Sequence, residues 1–304
     1  MPKTFIDAET GEIFEGITGI RTEAQDEAYK QKQSQDNLAK YRNKADKHFT
    51  FVEMERDAML NSLTNKQLGY FLVLQTYTDY NNMLRRAEGS TLPMRQSDIR
   101  KALRISDNRT LTNLMELWES QGIIHWEIVT MYGKEHKAYF VNEAYSFKKG
   151  LQAKFSSRKT SKAVKLFTED LQALYEQKKV KPADIGLIYK CIQYVHYDSN
   201  YLVSNPNEKD MASVEAFTAD KLAGVLEMSR QELYNKLGSL KYPVQVAGET
   251  MLLHVFAKVK VGCHVHLKIN PLLVYRKTGE PTYAEYAEFI LSYHLDQERK
   301  GKAK

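Results

Sequence analysis

Several things are scarce in this sequence, and each scarcity excludes a class of protein. There are two cysteines, Cys191 and Cys263, far apart and without a second cysteine at metal-ligand spacing. A disulfide-stapled secreted scaffold and a zinc ribbon are therefore excluded, and a reducing, cytoplasmic compartment is expected. No apolar run approaches the ~20 residues that span a bilayer. The acidic opening MPKTFIDAETGEIFEG also lacks the apolar core of a secretion signal. Membrane is thus not an expected partner. The sequence has no GxxxxGK[ST] phosphate loop, no GxSxG elbow and no HExxH pair, so nucleotide, serine-hydrolase and zinc-protease chemistry find no support. The expectation is a non-enzymatic protein without cofactor or resident metal.

What is present points to two globules. At 304 residues the chain is long enough for two domains, and its 42% of hydrophobic residues can fill their cores. The net charge is +6, and its location matters more than its size. Residues 151–181 carry eight Lys and Arg against three Asp and Glu, and the flanking segments are close to neutral. A short basic joint between neutral globules suits contact with phosphates, although a solvated linker helix has the same composition. Val164, Phe167, Leu171, Leu174 and Tyr175 fall at helical spacing in that joint, so a linker helix is expected.

The most informative stretch is Arg95 to Gly122, RQSDIRKALRISDNRTLTNLMELWESQG. Ile99, Ala102 and Leu103 make one apolar helix face. Ser106 begins a turn and can cap a second helix. Leu111, Leu114, Leu117 and Trp118 make the inward face of that helix. Its outward face carries Arg109, Thr110, Thr112, Asn113 and Glu116, and Asn108 precedes it. Gly122 ends the helix. Ile123 to Val129 and Lys137 to Val141 then read as strands joined at Met131-Tyr132-Gly133-Lys134. Helix, turn, helix and hairpin predict a winged helix-turn-helix.

The same plan returns downstream. Pro182 can open a helix that ends in Tyr197-Asp198-Ser199-Asn200, much as the helix begun by the Thr64-x-x-Gln67 capping box ends at Asn81-Asn82. Ile99, Leu103, Ile105, Ser106, Leu114 and Leu117 match Leu222, Leu226, Met228, Ser229, Leu237 and Leu240 at a constant offset, which argues for two copies of one unit. Met251 to Val261 and His264 to Ile269 read as a second wing turning at Gly262. Thr282-x-x-Glu285 caps a last helix, and a charged, disordered tail is expected from Glu298 to Lys304. The fold class expected is mainly α with small β wings (α+β), as two tandem winged helix-turn-helix domains. The divisions are an arm over 1–48, partly mobile, a domain over 49–150, a basic linker helix over 151–181, a domain over 182–280 and a C-terminal helix and tail over 281–304.

A helix that carries short polar groups and an arginine can hydrogen-bond base edges in a major groove ~12 Å wide. In the first unit the expected DNA contacts are Arg95, Gln96, Ser97, Asn108, Arg109, Thr110, Thr112 and Asn113, with Lys134 and Lys137 of the wing. In the second they are Arg230, Gln231, Tyr234, Asn235 and Lys236, with Lys258, Lys260 and Lys268. Backbone N–H groups at Arg95–Ser97 are placed to take a phosphate. Packing units of this kind also bind proteins, so an adaptor is one alternative. The His264-Val265-His266 pair, with Tyr275, Tyr283 or Tyr286 as nucleophile, suggests another: metal-dependent nicking of the HUH type. No third metal ligand is evident from the spacing.

Together the IDAETGEIFEG opening, the helix ending Asp79-Tyr80-Asn81-Asn82, and IRKALRIS-DNRTLTNLMELWESQGII closing into a wing resemble the RepL-type winged-helix replication and regulatory proteins of plasmids and phages of Gram-positive bacteria. The resemblance covers about half the chain, and the second unit is similar to the paired winged helices of dimeric plasmid initiators. It implies a protein that binds a specific origin or operator on double-stranded DNA, as replication initiator or transcriptional regulator. Homodimerisation and contact with host replication or transcription proteins are implied with it.

Overall fold

The computed structural model describes residues 3–6, 13–17, 48–55, 58–86, 92–148, 162–246, 248–261 and 264–302. Of the expected arm over 1–48, residues 1–2, 7–12 and 18–47 lie outside the described residues, as do residues 151–161 of the expected linker, the expected wing turn at Gly262, and Cys263. The opening segment forms the antiparallel strands β1 (Lys3–Ile6) and β2 (Ile13–Ile17).

In the first half the order is β3 (Phe49–Glu53), α1 (Ala58–Ser62), α2 (Asn65–Gln75), α3 (Gln96–Ala102), α4 (Asn108–Ser120), β4 (Ile124–Met131), β5 (Lys134–Val141) and β6 (Ser146–Phe147). The second half begins with β7 (Ala163–Phe167), α5 (Thr168–Glu176), α6 (Pro182–Ile192), α7 (Ala219–Val225) and α8 (Arg230–Ser239). It continues through β8 (Lys241–Val246), β9 (Glu249–His254), β10 (Phe256–Val261), β11 (His264–Ile269), β12 (Val274–Tyr275) and α9 (Tyr283–Lys302). Side-chain oxygens start four of the helices by accepting orphan N–H groups, Thr218 of α7 among them. Thr64 caps α2 in a reciprocal box with Gln67, Asp107 accepts the Thr110 N–H at 2.7 Å, and Ser229 accepts the Glu232 N–H at 3.1 Å.

This architecture corrects the expected fold class. The chain is α+β with several small antiparallel sheets, and not a mainly α pair of tandem winged helix-turn-helix domains. The overturning finding is a four-stranded sheet in the order β12-β7-β3-β6, with two strands from each half. One apolar cluster, running from Val52 through Leu174 and Ile188 to Ile290, draws on both halves as well. Nor is the joint a single helix. Among its described residues, 163–167 are a wholly buried strand and the α-helix covers only Thr168–Glu176, because Ala163, Val164, Leu166 and Phe167 have apolar partners on both faces of the sheet. The expected long strand from Met251 is broken at Val255, so β9 pairs backward with β8 and β10 pairs forward with β11. The strand β8 was not expected, because Pro243 sits inside it. The charged end of the chain continues α9 to Lys302.

The halves meet reciprocally. Along the β3–β7 seam Phe49 faces Phe167, Phe51 faces Lys165 and Glu53 faces Ala163, antiparallel. Helices α2 and α6 cross beside it at Gly69 and Gly186. A Cβ at Gly69 would lie 1.7 Å from the Pro182 carbonyl oxygen, and one at Gly186 would lie 1.8 Å from that of Asn65. Equivalent elements that contact one another reciprocally are the mark of a two-fold axis.

Small details repeat as well. Arg104 and Glu227 end α3 and α7 at φ 55° and 56°, each followed by a residue whose N–H reaches back into the helix, Ile105 to Arg100 O and Met228 to Ala223 O, both 3.0 Å. Asn82 and Asn200 are buried at φ 60° and 58°, a conformation asparagine tolerates. The Asn82 amide donates to Val141 O and Ser146 O, and the Asn200 amide to Ile269 O and Val274 O. The Asn142 amide donates to Gly122 O and the Asn270 amide to His254 O. These pairs align β4–β5 with β10–β11 and identify β8–β9 as an addition peculiar to the second half.

Candidate nucleic-acid interface

Helix α4 buries Leu111, Leu114, Met115 and Trp118, which leaves Asn108, Arg109, Thr112, Asn113 and Glu116 exposed on the opposite side, with Thr110 half-buried between them. Its position is fixed from the second half. Arg104, in the turn before α4, donates to the backbone carbonyls of Tyr175, of Gln177 at 3.2 Å and of Val180 at 3.4 Å. In return the Tyr175 hydroxyl donates to Leu103 O at 2.6 Å, and burial pushes its pKa up. Arg100 donates to the Asn108 side-chain oxygen at 2.7 Å, which holds that amide and occupies its acceptor.

Helix α8 buries Leu233 and Leu237 and exposes Arg230, Gln231 and Asn235, with Tyr234 half-buried. Gln231 donates to Asn235 at 3.0 Å, and Arg230 lies 3.3 Å from Asp220. The Lys258 ammonium, from β10, sits 3.7 Å from the centroid of the Tyr234 ring, so this hairpin adjoins the helix face. Lys260 is exposed beyond it. In the first half Lys134 is exposed at the hairpin turn, and the Lys137 ammonium lies 4.0 Å from the centroid of Trp126.

Five of the expected contacts, at three places, need correction. Lys268 is only 7% exposed, pairs with Glu288 and donates to Glu285 O at 2.7 Å, so it anchors α9 rather than facing solvent. Lys236 is 2.5 Å from the buried Asp184 of α6 and serves packing between helices. At Arg95, Gln96 and Ser97 the side chains are exposed, yet the start of α3 already holds an anion. The Arg95 N–H donates to Asp98 at 2.9 Å, and Arg86 pairs with the same carboxylate at 2.8 Å. A phosphate there would meet like charge.

Sequence reasoning missed Arg100 and Arg104, whose partners are eight or more residues distant and leave no local signal. It also missed Trp126, 45% exposed, and Ile128, 56% exposed, side by side on one face of β4. The period-2 pattern contained them, but an apolar strand residue reads as core. Two of the residues invoked for nicking have other partners. The His266 ring packs on Tyr201, with centroids 5.1 Å apart, and the Tyr275 hydroxyl donates to both Glu285 oxygens at 3.0 and 2.9 Å. Among the described residues no group of three or more His, Cys, Asp or Glu side chains is placed to hold a metal ion, and no helix is long and apolar enough to cross a membrane. Comparison with protein-family models, with curated proteins and with solved structures finds no match to this chain.

Proposed function

We propose that this chain binds a specific sequence of double-stranded DNA through the outward faces of α4 and α8, and that it acts as an origin- or operator-binding protein of a phage or plasmid. One observation carries the reading. Two equivalent helices, one per half, pack their leucines inward and turn Arg109, Thr112 and Asn113, or Arg230, Gln231 and Asn235, to solvent. Those are the side chains that match base edges: arginine for guanine, asparagine and glutamine for adenine. Exposed Lys134, Lys137, Lys258 and Lys260 stand on the adjoining hairpins, where ammonium groups add attraction to phosphate. The reciprocal contacts between the halves give the reading a definite form: two half-sites related by an approximate two-fold axis, inverted relative to one another, with different sequences because the two faces differ.

Selection of bound fragments from a random duplex pool at low salt tests the proposal. The expected result is one enriched motif with two unequal, inverted half-sites. Recovery of no motif would refute DNA reading and leave protein contact as the use of these faces.

A further inference from the structure

The two hairpins occupy equivalent places and carry opposite chemistry. Ile123 N–H donates to Trp118 O and its carbonyl accepts from Asn142; Val255 N–H donates to Leu240 O and its carbonyl accepts from Asn270. That match sets Trp126 opposite Lys258 and Ile128 opposite Lys260. The ladders agree: Trp126 pairs with Tyr139 and Ile128 with Lys137, as Lys258 pairs with Leu267 and Lys260 with Val265. So the face that in the second half bears two exposed lysines bears, in the first half, an exposed tryptophan and an exposed isoleucine. Tyr132 extends it at the tip, 77% exposed, in a turn where Tyr132 and Gly133 have φ 51° and 71°.

We propose that Trp126 and Ile128 form an apolar wedge that seats in the minor groove of the half-site read by α4 and unstacks a base step there, while Lys258 and Lys260 hold phosphates at the other half-site. The proposal rests on the DNA-binding reading above and adds a deformation confined to one side. Apolar side chains that enter a minor groove act in this way, and tryptophan stacks on any base. Two observations favour DNA over a second copy of the chain as occupant. The symmetry places the Trp126 face where the Lys258 face lies relative to its helix, so both meet whatever the helices meet. The Lys137 ammonium stands over the Trp126 ring at 4.0 Å and 5.1 Å from that of Tyr139, in the middle of the patch. A protein partner would have to bury that charge, whereas a phosphate pairs with it.

The chain has two tryptophans, and Trp118 is fully buried, so a change of emission on binding reports Trp126. The full chain is titrated with the duplex enriched by selection, carrying 2-aminopurine in one or other half-site. Expected are quenching of Trp126 and a rise of 2-aminopurine emission on the α4 side alone. Trp126→Ala should abolish both and bind about tenfold more weakly, and Trp126→Phe should keep most of the affinity. Lys258→Ala should weaken binding and flatten the salt slope while the 2-aminopurine rise persists. Tight binding with unchanged tryptophan emission, or with full affinity in Trp126→Ala, overturns the wedge and leaves DNA reading intact. A Trp126 emission that shifts with protein concentration in the absence of DNA, together with loss of a dimer in Trp126→Ala, assigns the face to a second copy instead. No binding by the wild-type chain removes both proposals.

Discussion

Replacing Gly69 with alanine should strike the crossing on which the union of the two halves depends. The new Cβ would lie 1.7 Å from the Pro182 carbonyl oxygen, 2.6 Å from its carbon and 2.9 Å from the Gly186 nitrogen. All three are backbone atoms, so no rotamer change relieves the overlap. Ordinary contact begins near 3.4 Å, so α2 and α6 must part by about 1.7 Å. Overpacking typically costs ~1–3 kcal/mol, and a gap of that width also removes at least half the dispersion attraction between side chains facing across it. Leu68, Leu72, Ile185 and Ile188 on these helices are all fully buried. Alanine's better helix propensity offsets about 1 kcal/mol. The expected net loss is about 3 kcal/mol, a large share of the roughly 5–15 kcal/mol that a folded chain holds. Gly186→Ala should cost a similar amount, because its Cβ meets Asn65 in the same way. One separation of the helices relieves both overlaps, so the double variant should lose about 4 kcal/mol rather than the sum of about 6. Urea unfolding followed by circular dichroism measures all three. A single substitution costing under about 1 kcal/mol, or a double variant whose losses simply add, refutes the argument from the crossing.

Four further outcomes are expected. Arg109→Ala should lose about 1–3 kcal/mol of discrimination at one base position, whereas Lys260→Ala should weaken binding evenly across sequences and lower the salt slope by about 1; competition binding at several salt concentrations separates them. Lys268→Ala should destabilise the fold by about 2 kcal/mol by leaving the Glu288 carboxylate of α9 unpaired, with no change in the salt slope of DNA binding. Lys165 lies in the middle of the shared sheet and donates to Gly279 O at 2.5 Å, and burial lowers its pKa from 10.5 to about 8. The unfolded chain binds that proton more readily, so stability should rise between about pH 8 and 10.5, and Lys165→Met should raise stability at pH 7 by about 2 kcal/mol and abolish that rise. Burial raises the pKa of Glu285, but hydrogen bonds from the Thr282 N–H, Lys277, the Tyr275 hydroxyl and the Thr282 hydroxyl outweigh it and bring the group down to about 2. Its contribution is full above about pH 4.5 and disappears as pH falls toward 2, and an acid titration of Glu285→Gln should lack that segment.

What could be read from the sequence was local or periodic. The capping pairs Thr64–Gln67 and Thr282–Glu285, the inward leucines of α4, and the constant offset that matches them to those of α8 all rest on near neighbours and repeat spacing. The sheet between the halves could not be read. Its strands β6 and β12 are two residues long, and β7 carries apolar residues at positions that also satisfy a helix. Lys165 made the error easy, since a lysine within a basic run reads as wet until its aromatic neighbours Phe49 and Tyr275 are in place. The outward faces of α4 and α8 were legible as polar stripes. Which of the expected contacts were already engaged was not, because Asp184 reaches Lys236 from α6 and Glu288 reaches Lys268 from α9.

The reciprocal seam has a consequence for how such a chain behaves when scarce. Most two-fold arrangements are made by separate subunits and fall apart on dilution. Here one polypeptide supplies both sides, so α4 and α8 keep their mutual spacing and sense at any concentration. The paired arrangement that the proposed reading requires is thus present in the very first molecule made.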